Sequence, residues 1–130
     1  KKKEMIFNKA QILENIGAVD SSIKVYKRFL TIEPTRYDIY GRIANIYLRR
    51  KNFYGAIISY NDWAKAQPEN ILPLKKAAAC YESQHNYASA KKYIEKALRL
   101  EPDNENLAAI LTAYNYKIDQ IQNRNNFEKN

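Results

Sequence analysis

The chain reads as an all-α protein, a solenoid of seven helices stacked as helix–turn–helix pairs. Three observations lead there. Pro34, Pro68 and Pro102 lie at equal intervals of 34 residues, a period that marks stacked supersecondary units. Residues stepped by that interval match in size: Ala10, Ala44 and Ala78; Leu13, Tyr47 and Tyr81; Ser22, Ala56 and Ala90; Tyr26, Tyr60 and Ile94; Leu30, Ala64 and Leu98. Within the second unit Tyr40, Ile43, Ala44, Tyr47 and Leu48 keep the spacing of one apolar helical face, and Phe53, Ala56, Ile57, Tyr60 and Ala64 form a second.

The helices follow in order. The first spans about 3–16 and turns at Gly17, whose missing Cβ suits a left-handed backbone. The second, about 20–32, stops before Pro34, because the proline ring pushes its predecessor out of the α region. The third, about 37–50, starts after a Thr35 cap, and its end carries Arg49, Arg50 and Lys51 where the helix dipole is negative. Asn52 is expected to take the left-handed turn there, as Asn86 does in the third unit. The fourth, fifth and sixth helices span about 53–66, 71–84 and 87–100, with Asn70 capping the fifth. The seventh, about 104–122 behind an Asn104 cap, has an apolar stripe of Leu107, Leu111, Tyr114 and Ile118 and a polar side of Asn115, Asp119, Gln120 and Gln122. A stack needs such a helix to shield its last apolar face. The polar tail 123–130 is expected to fray.

These columns closely resemble the tetratricopeptide repeat, a 34-residue helix–turn–helix with small residues in both helices, aromatics between them and a closing proline. The resemblance covers about 3–102, in units of roughly 3–36, 37–70 and 71–104, and implies a right-handed solenoid forming one domain over 1–122. Phe29 and Trp63 depart from it, standing where the family has alanine. The expected compensation is a small residue on the following helix: Gly41 and Ala44 for Phe29, Ala77, Ala78 and Ala79 for Trp63.

The chemistry of catalysis is thin. His85 is the only histidine and falls in a turn column, one histidine with the single Cys80 cannot make a zinc site, and three scattered glycines make no phosphate loop. No enzyme activity, cofactor or metal is expected. Cys80 sits on an apolar helix side, as a buried small residue would. No apolar run reaches the ~18–20 residues that cross a bilayer. Lys rather than Met comes first, so the chain reads as a fragment or processed part of a longer protein. Lys1, Lys2 and Lys3 read equally as a linker end near an anionic membrane.

The resemblance implies a concave groove lined by the first helix of each repeat. Its columns carry Arg42, Arg49, Lys75 and Lys76 with the amides of Asn8, Gln11 and Asn45. Such a surface suits a peptide or helical segment of another protein, with the cations holding carboxylates. The carboxylate clamp by which some family members grip acidic chaperone tails is not reproduced. Its positions hold Phe7, Gln11, Arg42, Leu72 and Lys76, and only Lys76 and loosely Gln11 match. Two other surfaces are read beside the groove. The seventh helix offers Ile110, Tyr116 and Ile121 for a partner or a second copy, and the net charge of +8 suits nucleic acid.

Overall fold

The computed structural model describes residues 1–129, and all regular structure among them is helical. The helices are α1 (Lys2–Asn15), α2 (Val19–Ile32), α3 (Asp38–Arg49), α4 (Phe53–Ala66), α5 (Leu72–Ser83), α6 (Tyr87–Leu100) and α7 (Glu105–Lys129). They fall into two compact units, residues 1–66 and the chain from Gln67 onward.

In the first unit α1 packs on α2, α3 on α4, and α3 also meets α2. The repeat columns make its core. Ile6 and Ala10 of α1, Ile23, Tyr26 and Phe29 of α2, and Ile39, Ile43 and Ile46 of α3 form one buried cluster. Ser22 holds a small-residue position inside it and donates its hydroxyl to the Ala10 carbonyl at 2.9 Å, so the buried oxygen is satisfied. Close approach of α3 and α4 depends on Gly55, where a Cβ would stand 2.5–2.7 Å from the Tyr47 ring. Gly41 makes room as expected, but for another residue. A Cβ placed there would meet Cζ3 of Trp63, in its own repeat, at 3.7 Å and no Phe29 atom within 4 Å. Phe29 is accommodated instead against the Phe7 ring, with centroids 5.3 Å apart.

In the second unit α5 packs on α6 and α7 on α6. Leu107 and Tyr114 of α7 are buried, Leu111 and Ile118 half-buried. The helix runs on to Lys129, beyond the end expected at 122 and through residues expected to fray. No glycine or proline follows Pro102, so nothing in the backbone stops it.

The turns correct one expectation. Positive φ occurs at Gly17, Lys51 and His85, again 34 residues apart, and not at Asn52 or Asn86. At each turn the left-handed residue donates to one carbonyl and the next residue to an earlier one: Gly17 to Glu14 and Ala18 to Leu13, Lys51 to Leu48 and Asn52 to Tyr47, His85 to Glu82 and Asn86 to Tyr81. This double closure satisfies two carbonyls at the helix end. Asn52 and Asn86 instead cap the following helices, accepting from the Gly55 and Ser89 amides at 2.9 and 3.2 Å. Asn104 caps α7 through the Leu107 amide at 3.0 Å, and Asn70 accepts from the Leu72 amide. Thr35 caps nothing. Helix α3 begins at Asp38 without a side-chain cap, and Arg36 grips Asp38 there through two 3.0 Å bonds.

Candidate functional site

The first helices of the two repeats in the first unit carry the expected contact residues. Asn8 on α1 and Arg42 and Asn45 on α3 are exposed, and Gln11 on α1 is half-buried. Asn8 and Arg42 share one 34-residue column, Gln11 and Asn45 another. Matched packing of α1 and α3 therefore presents matched positions.

The cations of this face are not equivalent. Glu14 accepts from the Tyr26 hydroxyl at 2.7 Å and from Nη2 of Arg49 at 2.6 Å. Burial pushes the Glu14 carboxyl upward, but these two donors, helped by the charge of Arg42, outweigh it and hold the group below the usual carboxylate range. Burial and the hydrogen bond to Glu14 push the Tyr26 hydroxyl up to about 12. Arg49 thus spends its charge inside the unit. Arg42 lies over the Phe7 ring, 5.4 Å from its centroid, with no carboxylate partner in hydrogen-bond contact.

Arg36 was not singled out by the sequence, yet it organises the open side of this face. Its guanidinium lies 5.1 Å from the Phe7 centroid and 5.4 Å from that of Phe29 while holding Asp38. Lys3 bonds Glu33 at 2.6 Å nearby. Arg36, Phe7, Phe29, Lys3 and Glu33 line a cleft of about 410 Å³ that also includes Glu4 and Asn8. The one signal for Arg36 in the sequence is its place two residues past Pro34 and two before an aspartate.

In the second unit Lys75 donates to Oδ1 of Asn106 at 3.0 Å, linking α5 to α7, and Lys76 is exposed. Burial pushes the Cys80 thiol up, which disfavours the reactive thiolate. On α7 Ile110 is half-buried, while Tyr116 and Ile121 are exposed. The Tyr116 hydroxyl accepts from the Gln120 amide at 2.7 Å. A smaller cleft of about 220 Å³ is lined by His85, Tyr87, Lys117, Gln120, Ile121 and Arg124.

Charge is unevenly divided. Residues 1–66 hold thirteen Lys and Arg against six Asp and Glu, the remainder nine against eight, so almost all of the +8 belongs to the first unit. Lys24, Lys27 and Arg28 of α2 are exposed within it. No group of three or more His, Cys, Asp or Glu among the described residues is placed to hold a metal, and no helix among them is long and apolar enough to cross a membrane.

Comparison with known proteins agrees with this architecture. Two tetratricopeptide-repeat models match residues 4–36 and 73–104, together half of the chain. A Drosophila melanogaster protein described as a BBSome complex member BBS4 homolog is 24% identical over 112 residues, which is 86% of this chain and 23% of that protein. The chain thus spans about a quarter of the length of this curated relative. Among solved structures, the first repeat domain of Spaghetti (RPAP3) bound to the HSP90 peptide SRMEEVD superposes with a TM-score of 0.61 at 21% identity, covering 91% of this chain and 94% of that one. The Yersinia enterocolitica secretion chaperone SycD, in complex with a peptide of the translocator YopD, gives 0.63 at 16% identity, with 88% and 92% covered. At such identities these likenesses concern the fold. With the period, the columns and the matched models on both sides of the chain, the protein belongs to the tetratricopeptide-repeat family.

Proposed function

We propose that the chain is a non-enzymatic scaffold that binds a peptide or helical segment of another protein, as part of a larger assembly, through its first-helix faces. In the first unit the contacts are Asn8, Gln11, Arg42 and Asn45, and in the second Lys75 and Lys76. The observation that carries this reading is the repeat-spaced pairing, on successive first helices, of exposed Asn8 with exposed Arg42 and of half-buried Gln11 with exposed Asn45, on either side of the buried Ala10 and Ala44 column. Amides at a repeat spacing suit the evenly spaced donors and acceptors of a peptide backbone, and Arg42 and Lys76 suit its carboxylates. RPAP3 and SycD, of the same fold, each hold a peptide, and the fly relative is described as a member of a complex. Arg49 enters only by exchanging Glu14 for a partner carboxylate, and Lys75 by leaving Asn106.

The test is capture of partners from the source cell by the wild-type protein and by the double variant Arg42→Gln, Lys76→Glu. Glutamine is the choice at 42, because a carboxylate there would face Glu14. Loss of captured protein with unchanged helicity supports the reading, and full retention contradicts it. A second surface is favoured by the exposure of Tyr116, Ile121 and Phe127 on α7, apolar groups that suit a partner or a second copy. The basic α2 face is the nucleic-acid alternative. RNA binding that falls steeply with salt would favour it over both.

A further inference from the structure

The repeat permits a comparison of the same position in two settings. In α3, Ile39, Ile43 and Ile46 are 0%, 2% and 0% exposed, because they lie in the cluster with α2. Thirty-four residues earlier, the same columns of α1 hold Met5, Lys9 and Ile12, continued by Ile16. Met5, Ile12 and Ile16 are 69%, 60% and 71% exposed. They recur at helical steps with Lys2 and Lys9, so they form one stripe on the outer side of α1, away from Ile6 and Ala10. Its geometry is the one that α2 already satisfies on α3: a single amphipathic helix laid along it. Its chemistry differs in one respect. Where α3 has Ile43, α1 has the exposed Lys9, with Lys2 a further step along.

We propose that the outer face of α1 is a docking site for an acidic amphipathic helix of a partner protein, which buries Met5, Ile12 and Ile16 and pairs carboxylates with Lys2 and Lys9. This surface adjoins the first-helix face of the proposed function at Asn8, one turn from Met5 and Ile12, but does not include Arg42. Charge decides the occupant. The first unit already holds thirteen cations against six acids, and a second copy laid on α1 by two-fold symmetry would set lysines against lysines across the axis. An acidic helix gains from the same charges that repel a copy.

The test uses the full chain with methyl-labelled Met and Ile and two stapled helices as long as α1. Both carry Leu on one face, one with Glu and the other with Lys elsewhere. The Glu helix is expected to shift the Met5, Ile12 and Ile16 methyl signals, to leave Ile39 and Ile46 unmoved, and to bind about tenfold more tightly than the Lys helix. Lys9→Glu should erase that preference, and the exposed Ile12→Asp should abolish binding with the helicity of the chain unchanged. Arg42→Gln should leave it intact, which separates this site from the other face. Equal binding of the two helices, or shifts that avoid the stripe, overturns the proposal. So do stripe signals that move with protein concentration alone, which would assign the face to a second copy.

Discussion

Helices α1 and α7 present outer faces of opposite composition. Helix α7 packs Leu107 and Tyr114 inward, and on the side where a second helix of its own would lie it carries Ala108, Thr112 and Asn115, in the columns filled by Ile6, Ala10 and Leu13 in α1. Small and polar residues have replaced the apolar ones, so no uncovered apolar stripe is left on that side. Helix α1 keeps Met5, Ile12 and Ile16 where a preceding helix would pack, although they face solvent. In these columns the outer face of α7 is closed by its composition and that of α1 is not. In a stack whose units contact only their neighbours, the composition of an outer helix face therefore separates a closed face from an open one.

The strongest way to break this comparison is to make the same change in matched columns. Ile46→Ala should lose about 2–5 kcal/mol from the first unit, whereas Ile12→Ala should change stability by no more than about 0.5 kcal/mol. Denaturant unfolding of both variants measures the pair, and similar losses would mean that the α1 column is covered. Next in size is Glu14→Gln, expected to cost about 1–3 kcal/mol by removing the charge and leaving either Arg49 or Tyr26 without its acceptor, since glutamine keeps only one accepting oxygen. It also has a pH signature. The carboxyls of Glu14 and Asp38 lie below their ordinary values when folded, the latter chiefly through its hydrogen bond from Arg36. Their stabilisation is present above the unfolded carboxylate range and is lost as pH falls through the folded values. Glu14→Gln should flatten that acid limb, as melting at a series of pH values would reveal.

Four further variants sharpen the picture inside the repeats. Gly41→Ala should stabilise by about 0.5–1 kcal/mol, since its Cβ meets Trp63 at an ordinary 3.7 Å and a helical glycine is removed. Gly55→Ala should destabilise by about 1–3 kcal/mol, because the Tyr47 ring blocks the new methyl. Lys51→Gly and His85→Gly should each add about 0.5 kcal/mol by relieving positive φ in a residue with a Cβ. Thermal melting of the four variants orders them.

The helix pairs were legible because each column repeats a size and each pair ends in a stop. The left-handed residue lies one position before the expected asparagine for a specific reason. Asparagine tolerates a left-handed backbone, but it also makes the better cap, and at 52 and 86 the cap takes precedence while Lys51 and His85 take the strained position. Gly41 makes space for Trp63 rather than for the expected Phe29, since both aromatics are within reach by sequence spacing alone. The use of each cation was not legible. Arg49 finds Glu14 thirty-five residues away, and whether it reaches that acid or solvent depends on side-chain packing between helices. The length of α7 was hidden because polar residues without an apolar period resemble a tail, even where no residue breaks the helix.

Met5 is the chain's only methionine and sits in the α1 stripe, so its oxidation by peroxide, followed by mass, reads the cover of that face at one residue. At low protein concentration Met5 should convert to the sulfoxide within about twofold of the rate of free methionine, and the acidic helix should slow it. A Met5 that is about tenfold protected in the dilute, unpartnered chain would contradict the account, for the face would then be closed already.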